Sequence, residues 1–101
     1  MWLCTSDAFL SVVADRDNPD RLLVRARVAG HIERVFPDAK VFTDSQADYL
    51  YRAFIQREVV AQAVAASIGK IDYDNFKDSV KDLDLHSAYS RIWGIMEALQ
   101  R

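Results

Sequence analysis

The apolar residues change their period near Gln56. In "RLLVRARV" (Arg21 to Val28) the chain alternates: Leu22, Val24, Ala26 and Val28 share one side of an extended segment, and Leu23, Arg25 and Arg27 the other. "DYLYRAFIQ" (Asp48 to Gln56) alternates likewise, with Tyr49, Tyr51, Ala53 and Ile55 set against Leu50, Arg52 and Phe54. Beyond Gln56 the spacing becomes helical. Val60, Val64 and Ile68 recur at four-residue steps in "REVVAQAVAASIG", where Gly69 supplies a stop. Leu85, Ala88, Tyr89, Ile92, Met96 and Leu99 make one stripe of a closing helix, which Trp93 and Ile95 widen. Strands first and helices later predict an α+β domain. It has a three- to four-stranded antiparallel sheet, with three to four helices packed mainly on one face.

The other elements are shorter. "AFLSVVA" (Ala8 to Ala14) reads as a strand rich in β-branched residues. Trp2 to Thr5 either extends it or adds a short edge. "DRDNPD" supplies a turn through Asn, Pro and Asp, so that strands on either side form a hairpin. "AGHIERVFP" predicts a short helix carrying Ile32, Val35 and Phe36 and stopped by Pro37. "AKVFTD" predicts a further strand. "DNFKDSV" predicts one or two helical turns behind Asp74 as N-cap, with Phe76 and Val80 facing inward, and Asp82 or Asp84 caps the closing helix.

A chain of 101 residues with three Gly and two Pro has no linker material and reads as one domain. Its formal charge of −2, from 13 basic and 15 acidic residues, is no general footprint for nucleic acid or an anionic membrane. No apolar run approaches the ~20 residues of a membrane span. A single cysteine, Cys4, permits no intrachain disulfide and fits a reducing compartment. The opening "MWLCTSDAFLSVVAD" lacks the basic start of a signal peptide, so a cytoplasmic location of bacterial type is expected.

Few residues carry a chemical signal. "DRDNPD" and "DYDNFKD" both fail the calcium-loop pattern: Pro19 and Phe76 fall where a third ligand belongs. Two histidines and one cysteine without patterned spacing make no zinc site, so neither metal nor cofactor is expected. No activated-thiol motif accompanies Cys4, which reads as a buried structural thiol, and His86 reads as a surface residue of the last helix. An enzyme would need a cleft gathering distant acids such as Asp48 and Asp72.

The strongest binding signal lies on the strands. Arg25, Arg27 and Arg52 converge on the uncovered sheet face, with Tyr49 or Tyr51 beside them depending on register. Guanidinium forks bind phosphate or carboxylate, and rings stack bases. A solvated face paired to Asp15, Asp17, Asp20 or Asp48 is the plainer reading, because acids cancel the field that anion binding needs.

The chain resembles a family of small, functionally uncharacterised bacterial proteins with the pattern "MW…T…F.SVV.DRD.PD.LLVRAR", then "DY.YR" and "IDY.NFKD.V", then a His, a Tyr and a Trp. The matching residues are Met1 and Trp2, Ser11 to Asp17, Pro19 and Asp20, Leu22 to Arg27, Asp48 and Tyr49, and Tyr51 and Arg52. Ile71 to Tyr73, Asn75 to Asp78, Val80, His86, Tyr89 and Trp93 complete them. Cys4 departs from the aromatic residue of that pattern. The resemblance carries no activity, but implies a site among Asp15, Arg16, Asp17, Arg25, Arg27, Tyr51, Arg52 and the "NFKD" turn.

Together these observations predict a non-enzymatic binding domain. It makes protein–protein contact or self-associates through the sheet or its edge strand, with RNA or nucleotide binding on an Arg/Tyr sheet face as the alternative. Its candidate binding residues are Asp15, Asp17, Arg25, Arg27, Tyr51 and Arg52.

Overall fold

The computed structural model of the chain describes residues 1–100. Five strands form one open antiparallel sheet: β1 (Trp2–Cys4), β2 (Phe9–Ala14), β3 (Arg21–Ala26), β4 (Phe42–Thr43) and β5 (Tyr51–Gln56), in spatial order β1-β2-β3-β5-β4. The sheet has more strands than the three or four expected. Both short edges count as separate strands: Trp2–Cys4 pairs with β2 as an edge rather than as an extension of it, and Phe42–Thr43, inside the strand expected over "AKVFTD", pairs with β5.

The turn between β2 and β3 is built by its own side chains. The Asp15 carboxylate accepts the Asp17 N–H (3.0 Å) and the Asn18 side-chain oxygen accepts the Asp20 N–H (2.9 Å). These bonds replace backbone partners that a tight turn leaves unpaired. They hold the hairpin in the register Val12–Val24 and Ala14–Leu22. On the other side Val24 faces Ala53 and Leu22 faces Ile55. Leu10, Val12, Val24, Ala26, Ala53 and Ile55 therefore point to one side and form the main core.

Two helices cover that side. In α1 (His31–Val35) Ile32 and the following Phe36 reach the core. Gly30 precedes it at φ 89°, a left-handed conformation that costs glycine little. Pro37 disfavours helical geometry at Phe36, so the helix ends one residue earlier. The second helix, α2 (Arg57–Gly69), leaves β5 without a loop and inserts Val60, with Ala63 and Val64 partly buried. Ile68 continues the same spacing but is exposed. The last turns of α2 thus extend past the part of the sheet that could cover them.

The long helix α3 (Leu83–Glu97) does not join that layer. Its Leu85 and Tyr89 pack with Val80, Phe76 and Phe9 in a separate cluster. Phe9 follows the alternation of β2 and points away from Leu10, so α3 meets the opposite face near the β1–β2 end of the sheet. The helices are therefore divided between the two faces. The expected single-sided layer fails because the stripe of α3 matches Phe9 rather than the Leu10 row. The Tyr89 hydroxyl donates to the Ala8 carbonyl (2.7 Å), and the Asp82 carboxylate accepts the Leu85 N–H (2.9 Å) as the N-cap. The "DNFKDSV" stretch makes a 3₁₀ turn over Lys77–Ser79. Asn75, not Asp74, takes the Lys77 N–H there.

Leu10 is fully buried at the centre of the core. Leu10→Ala is expected to cost about 2–5 kcal/mol by lost transfer energy and an unfilled cavity, read as a lower midpoint in urea unfolding.

Candidate binding face

The side of the central strands away from α1 and α2 carries the functional candidates. The register aligns one residue from each strand in a row: Trp2 opposite Ser11, Ser11 opposite Arg25, Arg25 opposite Arg52, and Arg52 opposite Phe42. A second row joins Val13, Leu23 and Phe54. Trp2, Phe42 and Phe54 are exposed large side chains on this side.

Arg25 and Arg52 face each other with no carboxylate between them, an arrangement that repels. Tyr49 offsets it. The Arg25 guanidinium lies 4.5 Å and the Arg27 guanidinium 4.1 Å from the Tyr49 ring centroid, and Arg52 donates to the Tyr49 carbonyl (3.4 Å). Cation–π contacts of this kind are worth roughly 0.5–2 kcal/mol each. Arg25 also donates to the buried Ser11 hydroxyl (2.7 Å), and Arg27 to the Asp48 carbonyl (2.8 Å). The Arg25 Nε is buried without a partner.

Asp48 adjoins this cluster, but no carboxylate forms an ion pair with Arg25, Arg27 or Arg52 among the described residues. The one ion pair among the described residues joins Asp15 to Arg21 at the hairpin turn. The Arg21 bond, then the Asp17 N–H, hold the Asp15 carboxyl below the usual carboxylate range. Asp17 is exposed and contributes only its N–H to that turn. Asp15 and Asp17 therefore belong to the architecture of the turn and leave the cluster. Arg21 itself lies over the Phe54 ring at 4.2 Å.

Tyr51 is also separated from the arginines. It pairs with Ala26 and packs against the main core, on the side opposite Arg25. Tyr49 takes its place. Counting alternation back from Ala53 puts both tyrosines on one side, but the strand begins only at Tyr51. The chain bends over residues 47–50, where the Asp48 carboxylate accepts the Tyr49 N–H (3.0 Å), and the Tyr49 ring lies against Arg25 and Arg27. Asp48, a turn former just before an alternating run, is the one sequence signal of that bend.

Two grooves flank α3. One, of about 360 Å³, has an apolar floor that includes Phe9, Leu85 and Ile92, with Arg27, His31, Asp82 and Asp84 around it. The second, of about 490 Å³, runs along Cys4, Phe76, Lys77 and Trp93, with the Lys77 ammonium 4.2 Å from the Trp93 ring centroid. Cys4 is exposed rather than buried as expected, although partial desolvation still pushes its thiol up. His86 is half-buried rather than a surface residue, and its Nδ1 bonds the Lys77 carbonyl (2.8 Å). Among the described residues no three His, Cys, Asp or Glu side chains group as metal ligands, and no helix is long and apolar enough to cross a membrane.

No family model matches the chain, and no curated protein or solved structure shows significant similarity to it.

His31 yields a prediction. Its Nδ1 accepts the Phe9 N–H (3.1 Å), which leaves the proton of the neutral ring on Nε2, and burial holds its pKa below the ordinary histidine value. The unfolded chain therefore binds a proton near pH 6.5 that the folded chain resists. Stability should fall as pH drops below about 7 and level off below the folded pKa. In His31→Asn, whose carbonyl can replace Nδ1 as acceptor, the midpoint of urea unfolding should change less between pH 7.5 and 5.5.

Proposed function

We propose that this chain is a non-enzymatic binding module whose open sheet face contacts a partner protein through an acidic segment. The observation that carries this reading is the convergence of Arg25, Arg27 and Arg52 on Tyr49 with no carboxylate partner. Exposed Trp2, Phe42 and Phe54 border the cluster, and Trp, Tyr and Arg are the residues that dominate protein interfaces. A carboxylate seated here would satisfy guanidinium N–H groups in charge-assisted bonds.

Two rivals fit the same face less well. A second copy placed face to face would bring two arginine clusters together. Single-stranded RNA needs free ring faces for its bases. The Tyr49 ring is 4% exposed beneath two guanidiniums, and Phe54 is flanked by Arg21 and stacked on Phe42 at 5.7 Å. The edges serve strand addition poorly, since three and two residues are too short a template.

The test compares a fluorescent glutamate-rich peptide with an oligouridylate of equal formal charge. The peptide is expected to bind more tightly and to weaken as salt rises. Replacing Arg25, Arg27 and Arg52 together by Ala should lower its affinity at least about tenfold, or about 1.4 kcal/mol. Tighter binding of the oligouridylate would transfer the face to nucleic acid, and an unchanged peptide affinity in the triple variant would remove the site.

A further inference from the structure

We infer that two copies of this chain associate through the C-terminal half of α3. Leu85, Tyr89, Ile92 and Met96 fall within one narrow stripe of α3, Ile95 lies at its margin, and Leu99 continues it in the turn that follows Glu97. The chain covers only the start of it. Leu85 and Tyr89 are buried and Ile92 is half-buried, whereas Ile95, Met96 and Leu99 are each more than half exposed, as is Trp93 beside them. From Trp93 to Leu99 the only charged side chain is Glu97. The stripe does not end where the contact with Phe9 ends. It runs on into solvent for nearly two turns.

The total surface says how much is left to cover. A folded monomer of this mass exposes about 5,800 Å². This chain exposes 7265 Å², about a quarter more. Its radius of gyration is 14.4 Å, against about 13 Å for a compact domain of this length. A standard interface removes about 800 Å² from each partner, and obligate homodimers remove more. The surplus belongs to the whole molecule, the open sheet face and the end of α2 included, and is larger than one standard partner patch, so the α3 stripe need supply only part of it. A second copy is the occupant that fits the α3 share of it: two identical apolar stripes are self-complementary across a twofold axis and introduce no row of like charges. Gly94 lies on the opposite side of the helix from the stripe, and an added Cβ there would meet nothing within 4 Å.

This inference is independent of the sheet-face reading, and one experiment separates the two. Sedimentation equilibrium should give a mass near twice 11.5 kDa for the unaltered chain. The Ile95→Glu/Leu99→Glu double variant should sediment as a monomer. Both replaced side chains are exposed, so its circular dichroism should be unchanged. The triple Arg→Ala variant of the sheet face should remain a dimer. An unaltered chain that stays monomeric up to about 100 μM, where an interface of standard size is normally populated, would overturn the inference. So would a double variant that remains dimeric.

Discussion

The pairing of β3 with β5 governs the rest of the molecule. It sets Val24 against Ala53 on one side and Arg25 against Arg52 on the other. Side-chain direction repeats every two residues, so a slip by one would bury two guanidiniums and put the core into water. The hairpin turn protects this register from one end through Asp15, Asn18 and Arg21. Arg57 ties the same turn to the start of α2 by bonds to the Asp20 and Pro19 carbonyls. The charge-rich stretch Asp15 to Arg27 thus does two things. Its acids and Arg21 build the turn, and its last two arginines remain available on the sheet.

That division explains why a chain of slightly acidic balance carries a local cationic face. Local pairing matters more than net charge at such distances, because exposed charges beyond about 8–10 Å are screened. Asp15 is spent on Arg21, and Arg25, Arg27 and Arg52 are held by an aromatic ring, the Ser11 hydroxyl and two backbone carbonyls rather than by ion pairs. These groups leave the charge uncompensated.

Helix α3 stands apart energetically. Leu85, Tyr89 and Ile92 attach it, with the Tyr89–Ala8 hydrogen bond, and grooves lie on both sides. A helix held along half its apolar stripe gains half the burial that its sequence provides for. The same holds for α2, where Val60 is buried and Ile68 is exposed. The open sheet face and the overhanging helix are separate surfaces of different chemistry, one cationic and aromatic, the other aliphatic.

The fold class was legible in the residues themselves. The alternation of Leu22, Val24 and Ala26, the i, i+4 recurrence from Val60 and the stripe from Leu85 each encode a local period, and a local period needs no tertiary information to read. Arg25, Arg27 and Arg52 were legible as one face for the same reason. "AKVFTD" was legible as a strand, though not its shrinkage to Phe42–Thr43; whether Trp2–Cys4 extends β2 or forms an edge was not, since three residues carry no period. Nor was the choice of Tyr49 over Tyr51, which turns on a bend at Asp48, or the pairing of Asp15 with Arg21 rather than with Arg25. Placement of α3 on the Phe9 side was equally hidden. An amphipathic stripe states that a helix has an apolar side, but which surface receives it depends on the shapes of both partners, and those exist only once the sheet has formed.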